Sequence, residues 1–146
     1  MAVDMFLKMD GIKGESVDDK HKDEIDVLSW SWGMSQSGSA HTGGGAGAGK
    51  VNVHDLSFTK YIDVSSPDLY LSCCNGKHLK DAKLVVRKAG ENPLEYLIVT
   101  MEDVIISSVS PGGSGGEDRL TENVSLNFGK GKVDYAAQDN KGGAGA

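Results

Sequence analysis

The stretch EIDVLSWSWG, residues 24–33, decides how the chain reads. Its side chains alternate with a period of two, so Leu28, Trp30 and Trp32 share one face while Val27, Ser29 and Ser31 share the other. That is a strand with one face buried, and the two tryptophans are its natural anchors because each buries a large apolar area. Working outward, residues 2–9 place Val3, Met5 and Leu7 on one face, and residues 50–60 form a third strand through Val51, Val53 and Phe58 with an irregularity near Asp55. Leu84, Val85 and Val86 make a short fourth. LEYLIVTMEDVIISSV at 94–109 is rich in β-branched residues and longer than an ordinary strand, which predicts a bulge or bend. Val124, Leu126 and Phe128 alternate on a sixth that continues toward Val133 and Tyr135. The one helix spans 67–75, with Ser66 as N-cap, Pro67 at its first position, Asp68 in the first turn and Gly76 to close it. The fold class that follows is mainly β: a small antiparallel barrel with one packed α-helix and a core of Leu28, Trp30, Trp32, Phe58, Leu126 and Phe128.

The chain has 146 residues, enough for one domain. No apolar run is long enough to cross a bilayer, and MAVDMFLKMDG at the start lacks the parts of a secretory signal. Fifteen basic against 21 acidic residues give a net charge of −6, which disfavours nucleic acid as a partner. The glycines cluster at 38–49, 112–116 and 142–145 and mark two loops and a tail.

Several motifs imitate chemistry without its context. GGAGAGK at 44–50 fits part of a phosphate-binding loop, but Val51 stands at the hydroxyl position and a strand follows. GGSGG at 112–116 fits a nucleophile elbow around Ser114, yet no helix follows it. His21, His41, His54 and His78 are scattered, and the run DDKHKDEID at 18–26 lacks the glycine and closing glutamate of a calcium loop. Cys73 and Cys74 are adjacent, with Cα atoms about 3.8 Å apart, too close for a relaxed disulfide; Cys73 packs one turn beyond Leu69. Asn123-Val124-Ser125 matches a glycosylation acceptor but falls inside a strand. The residues point to no catalytic site, metal or cofactor.

Over residues 1–135 the chain resembles the haemolysin-coregulated protein (Hcp) family of the bacterial type VI secretion system. The resemblance rests on MAVDMFLK with GES at 14–16, EIDVLSWSWGMSQSGS at 24–39, GKVNVHDLSFTKYID at 49–63, AKLVVRKAG at 82–90, EYLIVTMEDVIISSVS at 95–110 and GGSGGEDRLTENVSLNF at 112–128. It implies a small β-barrel with one helix, six copies closed into a ring, and rings stacked into a hollow tail tube. Such a tube is filled in the donor cytoplasm and driven out by a contractile sheath, together with spike and baseplate proteins, carrying effector proteins in its lumen; no nucleic acid and no stable membrane insertion are involved. In the family strands line the lumen; with Trp30 and Trp32 filling the barrel, the opposite face of Val27, Ser29 and Ser31 is expected to face it. The segment 34–49, with Ser35, Ser37, Ser39, His41, Gly44, Gly47 and the adjoining Lys50, reaches to the next ring; it is expected to be mobile in the free ring and to order there by backbone pairing.

One departure stands out: after Tyr135 the family continues to an aromatic C-terminal strand, whereas 136–146 reads AAQDNKGGAGA, a Gly/Ala-rich tail with no room for a fused enzymatic domain. A chaperone acting as single rings is the alternative, and a monomeric ligand-binding barrel is a weaker one because Trp30, Trp32, Phe58 and Phe128 fill the interior.

Overall fold

The computed structural model describes residues 3–38, 50–90 and 93–137. Its elements are β1 (Val3–Met9), β2 (Ile25–Asp26), β3 (Ser29–Ser31), β4 (Met34–Gln36), β5 (Val51–Val53), β6 (Leu56–Tyr61), α1 (Ser66–Asn75), β7 (Leu79–Lys88), β8 (Leu94–Gly112) and β9 (Thr121–Tyr135). Seven strands form one antiparallel sheet in the order β2-β1-β7-β8-β9-β6-β3, and β4 pairs with β5 in a separate ribbon.

The stretch that decides the fold is not one strand. Its two halves, β2 and β3, occupy opposite edges of the seven-stranded sheet. The switch takes one peptide: the Val27 amide donates to the Met5 carbonyl of β1 at 3.0 Å, and the Leu28 amide donates to the Thr59 carbonyl of β6 at 2.8 Å. Consecutive residues bonded to opposite edges force the sheet to curl into a barrel. The switch also slips the inward phase by one residue. Ile25 and Val27 point in, Leu28 is 40% exposed, and Trp30 and Trp32 then pack against the core half-buried. Leu28 is therefore not a core residue, and Val27, read from strict alternation as sharing a face with Ser29 and Ser31, lies in the core at 6% exposure.

The strand read as Leu84 to Val86 is ten residues long, paired on both sides with β1 and β8; its first half is hidden in the sequence because exposed Lys80, Asp81 and Lys83 break the period of two among buried Leu79, Ala82 and Leu84. The irregularity expected near Asp55 is present as the break between β5 and β6. The bend expected in the long strand is present twice. β8 and β9 shift register between Ile106 and Ser108, and Asp103 adopts a left-handed φ of 54°. Around Asp103 the inward phase of β8 moves from Val104 and Ile106 to Met101 and Val99. Gly129 faces this corner, where a Cβ would lie 3.3 Å from the Asp103 carboxylate. The corner turns the β8–β9 pair so that its two halves form different walls of the barrel.

The helix starts one residue earlier than read. Ser65 is its N-cap, without a side-chain capping bond, and Gly76 closes it with a left-handed φ of 65°. Ser66 instead turns its hydroxyl into a buried ionic cluster, donating to Glu122 at 2.6 Å. There Lys60 pairs with Glu122 and, at 3.1 Å, with Asp63, while Tyr70 donates to the other Glu122 oxygen at 2.6 Å. Burial, then the Glu122 hydrogen bond, push the Tyr70 hydroxyl above its ordinary pKa. Together with Leu69, fully buried against the barrel, this cluster seats α1. Cys73 packs against the core and Cys74 is exposed.

Candidate assembly and cargo surfaces

Strand β3 carries Ser29 and Ser31 outward, and the register extends these two positions across the sheet. Ser31 stands opposite Ser57 of β6, Ser57 opposite Ser125 of β9, and Ser125 opposite Ser108 of β8. The next row runs Ser29, Thr59, Asn123, Ser110. Ser57 and Ser125 share a hydrogen bond at 3.0 Å, and Thr59 donates to Asn123 at 2.6 Å. At one margin Asp55 accepts bonds from Ser107 at 2.6 Å and Asn127 at 2.9 Å; at the other, the Arg119 guanidinium lies 3.8 Å over the Tyr61 ring. Between the margins both rows carry only hydroxyls and an amide. A cavity of about 170 Å³ opens among Ser29, Ser31, Ser57, Thr59 and Asn123, with Trp30 and Phe58 also lining it.

The wall is neutral because β6 and β9 send their charges the other way: Lys60 and Glu122 sit on the inward face among Leu56, Phe58, Val124 and Leu126. Of the residues expected on the lumen side, Ser29 and Ser31 lie on this wall and Val27 does not. Ser57, Thr59, Asn123, Ser125, Ser108 and Ser110 were missed. For Ser57, Thr59, Asn123 and Ser125 the signal is in the sequence, since LSFT and NVSLNF alternate polar with apolar residues; Ser108 and Ser110 follow a register shift that periodicity does not reveal.

The segment expected as a stacking loop begins and ends as a ribbon. Met34, Ser35 and Gln36 pair with Val53, Asn52 and Val51. Ser37 and Lys50 extend it, with the Lys50 amide donating to the Ser37 hydroxyl at 3.0 Å. Ser35 Oγ and His54 Nε2 are 3.4 Å apart. Its base is fixed by the Trp32 indole donating to the His54 carbonyl at 2.8 Å and the His54 amide donating to the Gly33 carbonyl at 2.9 Å. Met34, Val51 and Val53 are 57%, 55% and 46% exposed, an unusual apolar concentration for a projecting ribbon. Of the other expected loop residues, Ser39, His41, Gly44 and Gly47 lie outside the described residues.

The two motifs that imitate active sites occupy no such context. Val51, after GGAGAGK, opens a strand, and GGSGG belongs to the hairpin between β8 and β9, where Ser114 donates to Glu117 at 3.3 Å. No helix among the described residues is long and apolar enough to cross a membrane.

This geometry has counterparts. The family described as "Type VI secretion system effector, Hcp" matches residues 6–135. Protein hcp1 of Pseudomonas aeruginosa is 70% identical over 139 residues, covering 94% of this chain and 86% of that protein. The crystal structure of Hcp1 from Salmonella typhimurium superposes with a TM-score of 0.79 at 48% identity, over 94% of this chain and 88% of that one. A solved type six secretion system protein reaches 0.92 at 30% identity, over 98% and 90%. The curled sheet, the neutral wall and the projecting ribbon therefore belong to a chain of the Hcp family, secreted structural components of type VI secretion systems that self-assemble.

Proposed function

We propose that the chain is a tail-tube subunit: six copies close a ring, rings stack into a hollow tube, and the neutral wall bearing Ser29 and Ser31 lines the lumen. The wall carries this reading. Cargo that must be held and then released is best served by many weak contacts, and hydroxyls already bonded to one another offer a polar surface without a strong anchor. The ribbon β4–β5, with its exposed Met34, Val51 and Val53, is the contact toward the next ring, burying apolar surface that water otherwise covers. The tube is assembled in the cytoplasm of the producing bacterium, surrounded by the contractile sheath and completed by spike and baseplate proteins. Contraction expels it with the effector proteins it holds. On this reading residues 1–135 are the barrel domain and the Gly/Ala-rich 136–146 a tail. No catalytic step is assigned to the chain.

The test is the native mass of the purified chain, followed by imaging of the same sample. Six copies of 15.4 kDa give a ring of about 92 kDa. Annular particles of that mass support the reading, and a monomer at high concentration overturns it. Ser31→Gln then tests the lumen: normal rings that no longer retain co-produced effector are expected, and full retention would move the cargo surface elsewhere.

A further inference from the structure

The β4–β5 ribbon has two unlike faces. Met34 and Val53 stand opposite each other and share a face with Val51, whereas Ser35 and Asn52 share the other. Met34 and Val53 also form one wall of a cavity of about 270 Å³, whose other walls are Trp32, Phe128 and the chain at 129–131. Phe128 can lie there because residue 131 is glycine: a Cβ at that position would come within 2.9 Å of the ring. Lys130 on the rim already has Glu102 beside it at 3.8 Å, so what the hollow offers a partner is apolar surface rather than a free charge.

The ribbon leads directly into the start of β6. At the far end of β6, about 17 Å of strand away, a second group of apolar side chains is exposed. The Ile62 amide donates to the Leu120 carbonyl at 2.9 Å, which sets the hairpin between β8 and β9 beside the chain leaving β6. Leu120 is 48% exposed there and Val64 56%. Leu120 lies over Gly113, where any side chain would strike it, so bare backbone supports it from below and its outer side faces water. The domain thus carries an apolar hollow at one end of β6 and an exposed aliphatic side chain on a projecting hairpin at the other.

We propose that the hollow at the base of the ribbon receives Leu120 of a copy in the next ring, so that the ribbon end of each ring seats on the hairpin end of its neighbour. The contact rests on the tail-tube reading, which supplies the second copy and makes the ribbon a stacking element. A stack that grows without limit needs a heterologous contact, in which two different surfaces meet. The ribbon end must then face the opposite end of the next copy, and that end is where Leu120 and Val64 are exposed. Ribbon against ribbon would be isologous, and it would use up both ribbons in one pair of rings. In an isolated copy both surfaces lie in water, and joining them removes apolar area from it.

Disulfide trapping tests the pairing in the full chain, with Cys74→Ser removing the exposed native thiol. Val53→Cys and Leu120→Cys together, oxidised in concentrated rings, should give a covalent ladder on non-reducing gels that passes about six copies. Each cysteine alone should give none. A ladder that stops at one ring would mean pairing between lateral neighbours, dimers from Val53→Cys alone would mean ribbon against ribbon, and no cross-link would mean that the two sites do not meet; each overturns the contact. Leu120→Asp should lower the population of species larger than one ring about tenfold or more in sedimentation, with ring mass unchanged, and a kosmotropic salt should raise that population for wild type. Stacking that ignores Leu120→Asp also overturns the contact. Rings of about six copies in the reduced samples keep the tail-tube reading intact whichever way the cross-links fall; their absence from wild type sinks that reading separately.

Discussion

One curled sheet presents two outward walls that differ sharply in charge. On β3, β6 and the first half of β9 the outward residues include Ser29, Ser31, Ser57, Thr59, Asn123 and Ser125, while on β1, β7 and the second half of β9 they include Lys8, Asp81, Lys83, Lys130 and Lys132. β8 and β9 take part in both walls, so strand identity does not decide the difference. The corner at Asp103 does, together with the inward placement of Lys60 and Glu122. A wall can be made neutral either by omitting charge or by turning it inward and pairing it. Here the second route also seats the helix.

The largest effect should come from breaking that inward pairing. Lys60→Met leaves Glu122 and Asp63 buried without their cation and should lower unfolding free energy by about 3–5 kcal/mol in urea titrations. Adding Glu122→Leu should recover much of the loss. A single variant as stable as wild type would show that the neutral wall does not depend on the cluster behind it.

Next is the corner that divides the walls. Asp103→Val puts a β-branched side chain at a left-handed φ and should cost about 1–2 kcal/mol, read as a fall in Tm. An unchanged Tm would mean that the backbone there relaxes freely.

On the charged side, Arg87 bonds Asp18 at 2.7 and 2.9 Å and lies 5.0 Å from the Phe6 ring. The guanidinium lowers the Asp18 pKa from 3.8 to about 2. A carboxylate with a lowered folded-state pKa stabilises above its unfolded value, and that contribution is lost as pH falls from about 4 toward 2. Asp18→Asn should therefore destabilise by about 1 kcal/mol at pH 7, and its urea midpoint should converge on wild type below pH 2. A gap that persists in acid would assign the effect to packing.

The smallest effect on stability, within about 0.5 kcal/mol, is expected for Ser29→Lys on the exposed neutral wall. Its consequence is functional. Effector retention by wild-type rings should hardly vary with salt, whereas retention by Ser29→Lys rings should vary strongly. Salt-sensitive retention in wild type would mean that the wall's neutrality is not what the cargo meets.

Much of this is legible in the sequence. Period-two alternation in ENVSLNF and LSFT identifies β9 and β6, and Pro67 with Gly76 brackets the helix to within a residue. The buried cluster was readable in principle, since Lys60 shares the phase of Leu56 and Phe58, and Glu122 that of Val124 and Leu126. Opposite charges on one apolar face are such a signal. Leu28 and Val27 were misassigned because alternation assumes an unbroken strand, and nothing local marks the peptide where the chain leaves one sheet edge for the other.

By itself the sequence determined the mainly β character, the helix, the family and the outward phase of the serines at 29 and 31, because periodicity, caps and motifs are properties of neighbours along the chain. Tertiary structure alone decided which hydroxyls join into rows and which charges turn inward. Those depend on register between strands far apart in the chain, as Ser57 and Ser125 are at 68 residues, and register is set by how the whole sheet closes.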